Sequence, residues 1–201
     1  MKKDEERLQV IENIKKAVED KKFNSKVEIH DHIVTNEERE KVILHYDGRK
    51  KKIRNKAKTI IARGIAESLT KHYNHQTEIK GLENIKDIKT GAIVTSNHFS
   101  KIDNTIIRYL MLKTGKRKKF DVIVQETNIF MPGGLGWLLK NNQTIPINKS
   151  HQYISNNFEP TLEKLFQKKH FVLIYPEEEM WFNYKKPRPR KNRSISLCMQ
   201  V

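Results

Sequence analysis

The sequence contains a single cysteine, Cys198, so the chain cannot form an internal disulfide. Such cysteine usage is typical of proteins in a reducing compartment. No apolar stretch approaches the ~20 residues that a membrane-spanning helix needs. The amino-terminal stretch MKKDEERLQVIENIKK lacks the apolar centre of a secretory signal. We therefore expect a cytoplasmic protein that is either soluble or attached to a membrane surface.

Acidic residues are also scarce relative to basic ones. The chain has 24 Asp and Glu against 40 Lys and Arg, which gives a formal net charge of +16. An excess of this size indicates an anionic partner, which can be a nucleic acid, a phospholipid surface or a phosphorylated substrate. The two densest basic runs, GRKKKIRNKAK and KKPRPRKNR, contain no aromatic residues, and no nucleic-acid-binding motif accompanies them. Lipid is therefore favoured over nucleic acid.

Helical spacing marks the first third of the sequence. Apolar residues recur at three- and four-residue steps in a charged background at Leu8, Ile11, Ile14 and Val18. A second helix is predicted over 56–73, with Ile61, Ile65 and Leu69 on one face. We interpret residues 1–75 as a helical amino-terminal region that packs on the same domain.

Strand-like and helix-like segments alternate from residue 77 onwards. The predicted strands are TEIKGLENI, GAIVTS, KFDVIVQE, QTIPIN and HFVLIYPEE. The predicted helices are DNTIIRYLMLKT and FEPTLEKLFQKKH, and GGLGWLLKN is a further apolar segment. This alternation predicts an α/β domain over 76–184, with a largely parallel central sheet flanked by helices. Pro146 in QTIPIN indicates either an edge strand or the end of a strand. Residues 185–201 are interpreted as a basic tail, truncated or disordered.

Three polar segments follow predicted strands, at 97–103, 145–150 and 175–181. The carboxyl ends of parallel strands share one edge of a sheet, so these segments are expected to face one crevice. His98 and Asp103 would diverge by about 140° on a continuous helix. They can meet only if the chain bends, with His98 in a turn and Asp103 near the start of a helix. A base, a cation and a carboxylate together suit the removal of a proton from a hydroxyl beside a phosphate.

The order and spacing of these segments resemble the glycerolipid acyltransferase family, especially the 1-acylglycerol-3-phosphate acyltransferases. The Asn-His-x4-Asp motif of that family is matched by Asn97, His98 and Asp103. Its second motif, an apolar strand that ends in an acidic residue and Arg, is read here at Asn148 and Lys149. Its third motif, an aromatic-Pro-Glu-Gly segment, is matched by Tyr175, Pro176 and Glu177, with Glu178 where Gly is usual.

The resemblance implies a glycerolphosphate acyltransferase-like fold and transfer of a fatty acyl group to a hydroxyl of lysophosphatidic acid. The donor would be a thioester of coenzyme A or acyl carrier protein, without a metal or other cofactor. His98 would act as general base and Asp103 would orient it. The residues expected to bind substrate are Asn97, Ser100, Asn148, Lys149, Pro176 and Glu177. Of these, Lys149 would contact the phosphate, and Glu177 would bond the glycerol portion or steady its loop.

The expected partners are therefore the lysophospholipid, the acyl thioester and the anionic inner face of the cell membrane, and no nucleic acid. Two alternatives stay open. One is a catalytically incomplete, truncated family member, because relatives continue past the third motif with a further apolar strand. The other is a basic nucleic-acid-binding protein.

Overall fold

The computed structural model describes residues 2–29, 35, 53–148, 150–184 and 186–189. Its helices and strands, in chain order, are α1 (Lys2–Glu19), α2 (Ile53–Asn74), α3 (Glu83–Lys86), β1 (Ala92–Thr95), α4 (Asn104–Lys113), β2 (Phe120–Gln125), α5 (Glu126–Ile129), α6 (Gly133–Asn141), β3 (Thr144–Ile147), α7 (His151–Tyr153), α8 (Glu159–Gln167) and β4 (Phe171–Ile174). A 3₁₀ turn precedes β2, and a π-helical turn joins α7 to α8. Within these ranges, no helix combines the length and apolarity needed to cross a bilayer.

The four strands form one sheet in the order β1-β4-β2-β3. Strand β2 pairs in parallel with both β3 and β4, so that Val122 lies opposite Thr144 on one side and Leu173 on the other. A parallel sheet with helices between its strands confirms the predicted α/β class. Pro146 lies in β3, at the end of the strand order, where its missing N–H leaves no neighbouring strand unpaired.

The predicted strand TEIKGLENI is wrong. The structure places the short helix α3 at its end, after a turn at Gly81, whose φ is +77°. Ile79, Leu82 and Ile85 are half-buried and follow one another at three-residue steps. This spacing matches one face of a helical turn better than the alternation of a strand.

The chain divides into two compact units. The first consists of Met1–Asp31, Thr95–Asn104 and Ile174–Gln200, and the second of His32–Val94 and Thr105–Leu173. The boundaries fall next to the last residues of β1 and β4. The first unit is therefore built from three separate pieces of sequence, whereas most of the sheet belongs to the second.

Strand β4 lies in the interior of the sheet, and its four residues are all buried. Full burial of a strand is expected in a parallel sheet, which is covered on both faces. Helix α2 turns the small residues Ala62 and Ala66 inward, together with Thr70. The side chains of the predicted apolar face, Ile61, Ile65 and Leu69, are instead 56%, 44% and 39% exposed. The helix packs through its small residues, which allow its backbone to approach its neighbours more closely.

Candidate active site

The chain bends between β1 and α4, and this bend brings His98 and Asp103 together. The Nδ1 atom of His98 lies 2.7 Å from Oδ2 of Asp103. The backbone N–H groups of Phe99 and Ser100 donate to the same carboxylate oxygen, at 3.2 and 3.3 Å. The N–H of Asp103 in turn donates to the carbonyl of Ser100 at 3.2 Å and closes the turn. Asp103 directly precedes α4, so a carboxylate also lies at the start of that helix.

The two side chains of this pair differ in their access to solvent. Asp103 is 3% exposed, whereas the side chain of His98 is 22% exposed. Since a carboxylate only accepts hydrogen bonds, Nδ1 of a neutral His98 carries the proton and Nε2 holds a lone pair. Within the described residues, no group bonds Nε2. The imidazole is therefore held on one side and able to take a proton on the other.

Tyr175 contacts both members of the pair. Its ring stacks on the imidazole of His98 with centroids 4.1 Å apart and an interplanar angle of 16°. Its hydroxyl donates to Oδ1 of Asp103 at 2.8 Å. Tyr175 directly follows β4, so the end of this strand supplies a side chain to the same site.

Glu177 is buried, and its carboxylate is engaged by the protein itself. Arg188 donates from Nε and Nη2 to Oε2, at 3.1 and 2.9 Å, and from its backbone N–H to Oε1 at 3.3 Å. The N–H of His98 also donates to Oε2, at 3.4 Å. Of the two roles expected for Glu177, this geometry favours steadying the loop beside His98.

Arg188 is buried, although it lies within the predicted basic tail. Desolvation lowers the pKa of its guanidinium, and the opposing charge of Glu177 offsets part of this effect. The guanidinium also donates to the carbonyls of Phe23 and Glu179 and lies 4.6 Å from the ring centre of Trp181. Arg188 therefore links the third motif to the amino-terminal part of the same unit.

The loop after the third motif is joined to the His98 turn through its backbone. The N–H of Trp181 donates to the carbonyl of His98 at 3.2 Å, and that of Asn183 donates to the carbonyl of Phe99 at 3.0 Å. The indole N–H of Trp181 donates to the carbonyl of Ser25 at 2.9 Å. Trp181 is fully buried in a small apolar core with residues of α1 and the segment after it, namely Val10, Ile14, Ala17 and Val27. This core supports the turn that carries the histidine.

The remaining predicted site residues are distributed over both units. Asn97 is exposed, and Pro176 is half-buried. The hydroxyl of Ser100 accepts from the backbone N–H of Ile102 at 3.4 Å and so belongs to the turn. Asn148 lies in the second unit, where its side chain accepts from the N–H of Ser150 at 2.9 Å.

Lys149, the predicted phosphate ligand, lies outside the described residues. Within the described ranges, no group of three or more His, Cys, Asp and Glu side chains is arranged to hold a metal ion.

Two features of the site were not predicted from the sequence, namely the burial of Arg188 and the backbone conformation of Glu178. Arg188 stands between prolines in a run of basic residues, and nothing in the sequence separates it from its neighbours. Glu178, which replaces the usual Gly of the third motif, has a φ of +62°. Glycine adopts this left-handed conformation without strain. The position of the usual Gly in the motif could have indicated a left-handed turn here. Glu178 adopts that backbone conformation although it is not a glycine.

A family model described as Acyltransferase matches residues 76–201. The match includes His98 and Asp103 and the segment from Tyr175 to Arg188. Neither the search of curated proteins nor the search of solved structures found a match.

Proposed function

Because this chain belongs to the acyltransferase family, we propose that it transfers a fatty acyl group from a thioester to a hydroxyl of lysophosphatidic acid in phospholipid synthesis. The observation that carries this proposal is the 2.7 Å contact between His98 and Asp103, which leaves Nε2 of the imidazole unbonded by the described residues. A histidine held in this way is suited to general base catalysis. The donor is a thioester of coenzyme A or of acyl carrier protein.

In this reaction, Nε2 of His98 takes the proton of the acceptor hydroxyl while the hydroxyl oxygen attacks the thioester carbonyl carbon. The ester bond forms, the carbon–sulfur bond breaks, and the proton passes from His98 to the departing thiolate. Asp103 stabilises the imidazolium that exists between the two proton transfers. General base catalysis of this kind typically contributes ~10² to 10⁴-fold to the rate.

The acceptor is bound by the residues that the motifs supply. Lys149 provides a positive charge for the phosphate, although a single ammonium lacks the bidentate geometry of Arg. The other predicted contacts to substrate come from Asn97, Ser100, Asn148 and Pro176, while Glu177 holds the loop through Arg188.

We further propose that the chain works on the anionic inner surface of the cell membrane, where its acceptor resides, and not on nucleic acid. The net charge of +16 supports an anionic surface as partner. Exposed apolar side chains on two helices also support it, since Leu8 in α1 is 66% exposed and Ile60 in α2 is 68% exposed. Anionic vesicles should therefore outcompete DNA for the protein, and added salt should weaken the binding to vesicles.

The test is an assay of phosphatidic acid formation with labelled acyl-CoA or acyl carrier protein thioester and lysophosphatidic acid in anionic vesicles. We expect His98→Gln to lower kcat by at least ~10²-fold, because the base is lost. The matched control is His170→Gln, which removes a histidine that also contacts a carboxylate, Asp121, at 2.6 Å. We expect this variant to keep kcat within the same order of magnitude. Full activity of folded His98→Gln would contradict the mechanism.

A further inference from the structure

The aromatic residue of the third motif, Tyr175, contacts both the candidate base and its carboxylate partner. Tyr175 contributes a hydroxyl hydrogen bond to Asp103 and a stacked ring to His98. We propose that Tyr175 is a positioning residue, which fixes both the carboxylate and the imidazole so that Nε2 keeps a single direction. This inference rests on the proposed function, since it assumes that His98 is the base.

The hydroxyl of Tyr175 controls the orientation of the carboxylate. Oδ2 of Asp103 accepts from His98 and from the N–H groups of Phe99 and Ser100, whereas Oδ1 accepts only from Tyr175 among the described residues. Asp103 is 3% exposed, so water has little access to replace that donor. With donors on both oxygens, the carboxylate cannot rotate without breaking a hydrogen bond.

The ring of Tyr175 restricts the tilt of the His98 imidazole. A single hydrogen bond at Nδ1 of His98 still allows the imidazole to tilt about that contact. A ring stacked at 4.1 Å and 16° restricts this tilt, because any tilt separates the two faces. The face of a phenol ring also attracts cations, so the stack favours the imidazolium that forms during proton transfer. The interaction therefore strengthens as the reaction proceeds, which is the condition for an effect on kcat.

Two variants separate the two contacts. Tyr175→Phe keeps the ring and removes the hydroxyl, whereas Tyr175→Leu removes both. We expect kcat to fall by about tenfold in Tyr175→Phe, because a hydrogen bond to a charged group is lost. In Tyr175→Leu we expect a fall of roughly 10²-fold, because the base is then misplaced. KM for the thioester and for lysophosphatidic acid should stay unchanged in both, because Tyr175 is assigned no contact with either substrate.

A spectroscopic measurement tests the same inference without turnover. The ¹H–¹⁵N correlation spectrum of the His98 ring should show one neutral tautomer, with the proton on Nδ1, in the wild-type chain. In Tyr175→Phe the proton should stay on Nδ1, because Oδ2 of Asp103 still accepts it, but the ring signals should broaden as the imidazole samples more than one orientation. A variant with a merely structural defect would lose folded protein and raise KM, and would leave the His98 spectrum of the folded fraction unchanged.

These experiments distinguish failure of the positioning role of Tyr175 from failure of the proposed function. A wild-type chain without acyl transfer overturns the proposed function itself. An active wild type with Tyr175→Phe at wild-type kcat and with an unchanged His98 spectrum overturns the positioning role alone. If Tyr175→Leu does not fold, Tyr175→Phe still decides, because it retains the packing of the ring. A lowered kcat at constant KM with broadened His98 ring signals supports the role.

Discussion

Among the residues that the structure describes, two His–Asp pairs have nearly equal geometry, one in each compact unit. The Nδ1–Oδ2 distance is 2.7 Å for His98 and Asp103 and 2.6 Å for His170 and Asp121. The histidine side chains are 22% and 18% exposed, and the aspartates are 3% and 10% exposed. Distance and burial alone therefore do not distinguish a catalytic pair from a structural one.

The surroundings of the two pairs do distinguish them. His98 and Asp103 are five residues apart in a turn after β1, and Tyr175 contacts both. His170 and Asp121 are 49 residues apart and join the residue before β4 to the second residue of β2. That position is at the amino ends of parallel strands, whereas ligands of such sheets bind beyond the carboxyl ends.

The backbone N–H and carbonyl of His170 both form hydrogen bonds within the second unit. Its N–H donates to the carbonyl of Leu165 at 2.9 Å, and its carbonyl accepts from Ala92 at 3.1 Å. We infer that His170 and Asp121 hold strands together, while His98 and Asp103 are arranged to move a proton. Under the proposed function, the same two side chains would therefore serve different purposes, according to the groups around them.

The largest effect is expected when the aspartate of each pair is replaced by asparagine. Asp103→Asn should lower kcat by roughly 10² to 10³-fold, because the imidazolium loses its counter-charge. Asp121→Asn should leave kcat within the same order and lower the free energy of unfolding by about 1–3 kcal/mol, because a buried hydrogen bond is weakened. Steady-state kinetics and urea denaturation measure the two effects. A loss of kcat in Asp121→Asn as large as in Asp103→Asn would remove the distinction.

The second prediction concerns the buried ion pair beside His98. Glu177 and Arg188 have side chains that are 10% and 1% exposed. Glu177→Gln should lower the free energy of unfolding by about 3–5 kcal/mol, because it leaves the guanidinium buried without its counter-charge. The double variant Glu177→Gln with Arg188→Met should be more stable than the single variant, because the unpaired charge is then gone. Urea denaturation of both variants tests this.

If the double variant were less stable than Glu177→Gln, the buried ion pair would not account for the loss of stability. If Glu177→Gln is as stable as the wild type, Arg188 is not held as the structure has it. Arg188→Met alone serves as control, since it leaves Glu177 without its main donor and completes the double-mutant cycle.

The smallest predicted effect compares two residues with left-handed backbones, one near each pair. Glu178 and Lys169 both have a φ of 62°. Replacement of either by glycine should raise the free energy of unfolding by about 0.5–1 kcal/mol, because the relief of strain exceeds the entropy that glycine adds to the unfolded chain. Thermal denaturation with alanine at the same positions is the control, since alanine keeps the strain. A destabilised Glu178→Gly would show that its side chain contributes more than the strain costs.

Much of the secondary structure was predictable from periodicity. The helices α1 and α2, the strands β1 to β4 and the edge position of Pro146 follow from apolar spacing and from the missing N–H of proline. The segment from residue 77 to 85 was not predictable in this way, because a run of half-buried apolar residues fits both a short helix and a strand. The buried face of α2 was also not predicted, because its small residues contribute little to the apolar periodicity.

The candidate site was predictable only in its local part. His98 and Asp103 are close in sequence, and their spacing required a bend. The contacts of Tyr175 and Arg188 join positions that are between 11 and 165 residues apart, so no local pattern encodes them.

The α/β class, the family and the histidine turn could be read from the amino-acid sequence, because they depend on periodicity and on residues a few positions apart. The folded chain was needed to see which His–Asp pair lies beside Tyr175, that Glu177 is bound by Arg188, and that the first unit is assembled from three distant pieces of sequence. These features differ because burial and counter-charge arise from the packing of distant segments. The same carboxylate or guanidinium would be an ordinary solvated charge if those segments lay apart.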